Sequence, residues 1–133
     1  MSDFKAVVVD DNDLIRDIVA RTLDSRGGET LQAEDAMSGW RAIEQCGPEL
    51  VVIDVMLPGE LDGVGLCKLV RADKRFRDCA VVMITASDKR READRSLAAG
   101  ADILIGKPFS PKQFWAQVYS VLRDRKMKKS REV

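Results

Sequence analysis

Short apolar runs alternate with longer amphipathic stretches along the whole chain. Ala6-Val7-Val8-Val9, Val51-Val52-Ile53, Ala80-Val81-Val82-Met83-Ile84 and Ile103-Leu104-Ile105 are too short and too β-branched for buried helices and predict strands. A weaker strand is expected around Thr30-Leu31-Gln32-Ala33. Between them, Asn12 or Asp13 caps a helix with Leu14, Ile15, Ile18, Val19 and Leu23 on one face, ended by Gly27-Gly28. A second helix spans 38–46 and stops at Gly47-Pro48, and a third carries Leu66, Leu69 and Val70 after a turn-rich loop over 57–63. A fourth, over 88–99, buries little more than Ala93, Leu97 and Ala98, so weak attachment is expected of it. Ser110 caps the last helix, with Pro111 at its first position and Phe114, Val118, Val121 and Leu122 as its core stripe. Five strand-helix units in regular alternation predict an α/β fold: a doubly wound parallel sheet of flavodoxin-like (βα)5 type, strand order 2-1-3-4-5.

That order sets the first and third strands side by side, and acids close both runs: Asp10 and Asp11 after the first, Asp54 after the third. Three carboxylates gathered in one crevice repel one another, which implies a cation, a shared proton or a group built to be modified. Hard oxygen ligands in a shallow crevice suit Mg²⁺ or Mn²⁺. Thr85 ends the fourth strand and Lys107 the fifth, so a hydroxyl and an ammonium reach the same sheet edge. Together with a divalent ion they supply what phosphoryl transfer needs, charge neutralised on the equatorial oxygens.

A length of 133 residues fits one domain, and 22 basic against 22 acidic residues give no electrostatic reason to expect nucleic acid or a membrane as the main partner. The first residues run straight into a strand and no uncharged stretch approaches a membrane span, so a cytoplasmic location is expected. Cys46, Cys67 and Cys79 lack metal or redox spacing and read as small apolar residues. The chain has no histidine, which excludes Ser-His-Asp and Cys-His catalysis and leaves carboxylate, hydroxyl and ammonium chemistry.

Asp10-Asp11, Asp54 followed by Pro58 and Gly63, Thr85-Ala86 and Lys107-Pro108-Phe109 resemble the motif set of bacterial response-regulator receiver domains, the chemotaxis-regulator-like modules of two-component signalling, as does Ala98-Ala99-Gly100-Ala101-Asp102. The resemblance implies that Asp54 accepts the phosphoryl group and that Asp10, Asp11, Asp54 and the backbone carbonyl of Met56 hold Mg²⁺ (or Mn²⁺). It also implies that Thr85 and Lys107 bind phosphoryl oxygens and that a cis peptide precedes Pro108. It further implies a switch that is not an enzyme beyond its own phosphotransfer and dephosphorylation. Its donor would be a sensor histidine kinase, a histidine phosphotransferase or a small acyl phosphate. On this reading residues 1–125 form the receiver domain and 126–133 a basic polar tail. The loop from Pro58 to Gly63 is one residue longer than the commonest family pattern, and Leu104 stands where many members carry a tyrosine or phenylalanine. Met56 places a thioether beside the phosphoryl site, where it cannot orient water, so slow dephosphorylation is expected.

The implied partner surface lies on the fourth helix, fifth strand and fifth helix, with Leu104, Trp115 and Tyr119 on it, Lys89, Arg90 and Arg91 at its rim, and a downstream protein or a second copy as occupant. Burial of Trp115 and Tyr119 as an extension of the core is the competing expectation. Two alternatives for function stay open here: the regulatory piece of a larger DNA-binding regulator, and a haloacid-dehalogenase-like phosphohydrolase using Asp11 and Asp13.

Overall fold

The computed structural model describes residues 2–86 and 89–131, with the side chains at 89 and 129–131 left aside. The expected helix start at Asp88, the rim role of Lys89 and the last residues of the tail therefore lie outside the described residues. Five strands, β1 (Phe4–Val9), β2 (Gly28–Ala33), β3 (Leu50–Asp54), β4 (Ala80–Thr85) and β5 (Ile103–Gly106), form one sheet in the order β2-β1-β3-β4-β5. Every neighbouring pair is parallel, and the central register sets Val9 beside Ile53 and Asp54 beside Ile84. The expected topology is the one observed.

The helices are α1 (Asp13–Ser25), α2 (Ala36–Cys46), α3 (Gly63–Ala72), α4 (Lys89–Ala98) and α5 (Pro111–Arg131). Strand side chains alternate between two cores. Val7, Val9, Val51, Ile53, Val81, Met83 and Leu104 pack under α2, α3 and α4. Ala6, Val8, Val52, Val82, Ile84 and Ile105 pack under α1 and α5, with Phe114 and Val118. Because both faces are covered, the central strands read as unbroken apolar runs.

Caps account for the boundaries. The Asn12 side chain accepts the backbone N–H of Ile15 at the start of α1. Asp35 and Ser38 cap each other reciprocally, so α2 begins two residues before the expected position 38. Ser110 Oγ accepts the N–H of Gln113 at the head of α5. Gly28 opens β2 instead of only ending α1, and it lengthens the weak second strand to six residues.

Three helical faces differ from expectation. On α1 the buried residues are Val19, Ala20 and Leu23, while Leu14 and Ile18 are exposed. On α3 Leu66 and Val70 are buried and Leu69 is exposed. On α4 Leu97 and Ala98 point outward, and Glu92, Ser96 and Ala99 take the inner side. Ser96 Oγ is buried there with no hydrogen-bond partner among the described residues, and Glu92 pairs with Arg95 at 2.9 Å. Cys67 and Cys79 are buried, and that burial pushes both thiols up to about 11, so they stay protonated and unreactive at neutral pH.

A partly buried ion-pair node ties the lower half together. Asp102 accepts Arg71 Nη2 at 3.1 Å, Arg125 Nη2 at 2.5 Å and the backbone N–H of Val81 at 2.9 Å, which fastens α3, β4 and α5 to the loop before β5.

Candidate functional site

The site forms where β1 and β3 end together. β1 delivers Asp10 and Asp11 to the β1–α1 turn, and the N–H of Asp10 still donates to Ala33 O on β2 at 3.1 Å. β3 ends on Asp54 itself. Each of Asp10, Asp11 and Asp54 offers a carboxylate oxygen within 4.8 Å of the other two, with Asp10 and Asp54 buried and Asp11 exposed. Among the described residues this is the one group of acids close enough to share a metal ion.

Two local turns aim the buried pair. Asp10 Oδ1 accepts the N–H of Asn12 at 2.9 Å, and Asp54 Oδ1 accepts the N–H of Met56 at 3.0 Å. The second oxygen of each faces Lys107, whose Nζ donates to Asp54 Oδ2 at 3.1 Å and to Asp10 Oδ2 at 3.4 Å. Lys107 follows β5 directly, its own N–H donates to Thr85 O at 2.8 Å, and the peptide to Pro108 is cis, as expected. Thr85 is fully buried at the end of β4, one place beyond the Asp54–Ile84 pair. The residues that the sequence brings to this edge thus arrive together, from four strand ends.

Charge does not balance within the crevice. Among the described residues, the ammonium of Lys107 bonds two of the three grouped carboxylates, those of Asp10 and Asp54. Burial, helped by the charge on Asp54, raises the Asp10 carboxyl above the usual carboxylate range, even though the Asn12 N–H and Lys107 pull the other way. A small hard cation would relieve that repulsion, and the donor set, all oxygen, is of the kind Mg²⁺ takes.

The floor of the crevice depends on a missing side chain. Gly63, at the start of α3, donates its N–H to Val55 O at 3.2 Å, and a Cβ built on it would overlap the carbonyl oxygen of Asp54. Arg16 also proves to be part of the surroundings, although nothing in the sequence reading singled it out. Its guanidinium reaches back to the carbonyl oxygen of Asp10 at 2.8 Å. An arginine one turn into the helix after a strand-ending acid is the signal that could have found it.

Comparison with known proteins agrees with this geometry. Residues 6–119 match the family described as the response regulator receiver domain. The chain belongs to that family. The phosphate regulon transcriptional regulatory protein PhoB of Klebsiella pneumoniae is 37% identical over 119 residues, which cover 90% of this receiver chain and 52% of PhoB. The alkaline phosphatase synthesis transcriptional regulatory protein PhoP of Bacillus subtilis is 36% identical over 90% of the chain and 48% of its own length. The receiver chain thus spans about half the length of these curated relatives. Among solved structures, NtrX from Brucella abortus superposes with a TM-score of 0.90 at 34% identity, over 99% of this chain and 30% of NtrX. The chemotaxis protein CheY4 of Vibrio cholerae superposes with a TM-score of 0.82 at 26% identity, over 91% and 98%.

The same geometry gives the phosphohydrolase alternative no support. Asp13, which it needs beside Asp11, is 85% exposed and pairs with Arg16 at 2.7 Å, outside the acidic group. The expected partner surface also needs correction. Leu104 is only 6% exposed and sits in the core beneath α2, α3 and α4. Trp115 and Tyr119 lie on the opposite flank of α5: Trp115 stacks between Phe4 of β1 and Tyr119, with centroids 5.9 Å away on each side, and Arg26 after α1 lies over it at 5.7 Å. Trp115 is half-buried and Tyr119 exposed, so the stack extends the core toward α1 and does not form part of an α4–β5–α5 face.

Proposed function

We propose that this receiver domain is a Mg²⁺-dependent phosphoacceptor switch in which Asp54 takes a phosphoryl group from the phosphohistidine of a sensor kinase or phosphotransferase. The observation that carries this reading is the meeting of Asp10, Asp11 and Asp54 within 4.8 Å, with Lys107 Nζ on Asp54 at 3.1 Å. Mg²⁺, or Mn²⁺ in its place, would be held by the three carboxylates and the backbone carbonyl of Met56, and when bound it supplies positive charge for the transferring phosphoryl oxygens.

The chain's own residues supply the rest. An Asp54 carboxylate oxygen attacks phosphorus in line with the bond to the donor's imidazole nitrogen. That P–N bond breaks as the P–O bond forms, and the imidazole leaves with its electron pair and gains a proton from solvent. Lys107 neutralises a phosphoryl oxygen, which releases it from Asp54 and Asp10. Thr85 offers its hydroxyl to another oxygen from the end of β4. Adding a doubly charged group where two buried carboxylates already share one lysine redistributes charge, and a two-state element needs only a few kcal/mol of such bias to switch.

The downstream partner, a protein or a second copy, would engage a surface remote from the crevice, and on α4 the exposed Leu97 is an apolar residue available to it. The relatives' lengths support an output domain of the DNA-regulating kind beyond this segment. A cytoplasmic setting fits a kinase partner, and among the described residues no helix is long and apolar enough to cross a membrane.

Incubation with Mg²⁺ and acetyl phosphate, read by intact mass, tests the reading. Wild type gains one phosphoryl group, and Asp54→Ala gains none; equal labelling of both overturns the assignment. Met56 is 63% exposed at the rim and carries no group able to orient water. Met56→Asn therefore changes the rate at which the labelled protein loses its phosphoryl group, by several-fold or more, and an unchanged decay refutes that role.

A further inference from the structure

Arg16 makes three hydrogen bonds from one planar group, each to a different part of the site's scaffold. Nη1 donates to the backbone carbonyl of Asp10 at 2.8 Å, Nη2 to Asp13 Oδ1 at 2.7 Å and Nε to Gln32 Oε1 at 3.1 Å. Its side chain is 16% exposed. The three acceptors belong to the residue that follows β1, the first turn of α1 and the strand β2. One side chain therefore fixes where β1 turns into α1, and that turn is the segment that presents Asp10 and Asp11.

Its charge makes this position informative. A guanidinium beside an acidic crevice repels any metal cation entering it, so as a point charge Arg16 opposes Mg²⁺. Only its fixed fork of donors works in the other direction, by holding the Asp10 carbonyl so that the carboxylate beyond it keeps its place. The bond from the Asn12 N–H to Asp10 Oδ1 spans the same turn.

We infer that Arg16 is a positioning residue for the metal site: it locks the β1–α1 turn through Asp10 O, Asp13 and Gln32 so that Asp10 and Asp11 hold Mg²⁺. The inference rests on the Mg²⁺-binding reading above. Groups that support a metal ligand without touching the ion typically change affinity by about 10- to 100-fold when removed. Arg16→Met is accordingly expected to weaken Mg²⁺ binding about tenfold, and Arg16→Lys, which keeps the charge but has one nitrogen for three acceptors, by nearly as much. A purely electrostatic role predicts the opposite pattern: tighter binding for Arg16→Met and no change for Arg16→Lys.

Calorimetric titration of Mg²⁺ into the 133-residue chain separates these outcomes. Labelling from acetyl phosphate as a function of Mg²⁺ supplies a second readout, in which the half-saturating Mg²⁺ concentration rises by the same factor while the rate at saturating Mg²⁺ stays within about twofold of wild type. Equal or tighter Mg²⁺ binding by both variants overturns the inference. If Arg16→Met does not fold, judged by its thermal transition in EDTA, Arg16→Lys decides alone. If wild type itself takes no Mg²⁺, the functional reading fails before Arg16 is tested.

Discussion

Gly63→Ala unfolds at markedly lower denaturant concentration than wild type, with a loss of about 3 kcal/mol. The cause is the closeness of α3 to the end of β3. A methyl group on residue 63 overlaps the Asp54 carbonyl oxygen and comes within 2.8 Å of its carbonyl carbon and 3.0 Å of Val55 Cα. All three are backbone atoms of a buried strand end, so none can swing aside as the tip of a flexible side chain would. Relief requires α3 to retreat, which costs packing at Val64, Leu66 and Cys67, or Asp54 to shift, which moves the proposed phosphoacceptor.

Gly47→Ala is the comparison that isolates this cause. Gly47 ends α2 with φ of 59° and nothing within 4 Å of its missing Cβ, so its replacement costs only the backbone term, about 1 kcal/mol. The two variants therefore separate in two measurements. Gly63→Ala loses more stability in chemical unfolding and is labelled more slowly by acetyl phosphate at saturating Mg²⁺, whereas Gly47→Ala is labelled like wild type. Equal midpoints for both would show that the α3–β3 approach has slack.

How far the sequence discloses such features depends on whether their cause is local. Strands buried on both faces must be continuously apolar, so β1, β3, β4 and β5 were visible as runs, and their parallel order followed from alternation with helices. Once that order is set, the meeting of Asp10, Asp11, Asp54 and Lys107 follows, because each closes or follows a strand at one edge. The α5 stripe was equally legible: Phe114, Val118, Val121 and Leu122 are all buried.

Helix faces near the rim were not. Leu14 and Ile18 keep helical spacing with buried Val19 and Leu23, but spacing fixes which residues share a stripe and not how far the sheet extends beneath it. On α4 the ordinary polarity rule pointed the wrong way, since Glu92 and Ser96 lie inward and Leu97 outward. The Arg71–Asp102–Arg125 node joins residues 31 and 23 positions apart, and nothing local in a chain with 22 cations and 22 anions marks which pairs meet. Arg16 escaped for a related reason: its main acceptor is a backbone carbonyl, which every residue has.

Asp10→Asn makes the metal-free protein more stable while it disables the site. In wild type the Asp10 carboxylate is 2% exposed, and its ionised form is opposed first by burial and then by the charge on Asp54, with Lys107 compensating only in part. Asparagine has the same shape and no charge, its oxygen can still accept the Asn12 N–H, and Lys107 keeps its 3.1 Å bond to Asp54. In EDTA at pH 7 the variant is expected to gain roughly 1 to 2 kcal/mol in chemical unfolding. The gain has a definite pH dependence. A carboxyl whose folded pKa stands above its ordinary value of 3.8 binds its proton more readily in the native state. Wild type therefore recovers stability relative to the variant as pH falls through the raised value, and the difference is largest where Asp10 is fully ionised. Mg²⁺ reverses the ranking. Removing an anionic ligand should cost at least the roughly hundredfold in affinity that can follow loss of a group merely supporting a ligand. Wild type then gains stability from added Mg²⁺ by mass action and the variant does not, and labelling of the variant by acetyl phosphate falls with its Mg²⁺ affinity. A variant less stable than wild type in EDTA would mean that the Asp10 charge is satisfied within the fold, and that the crevice needs no cation to balance it.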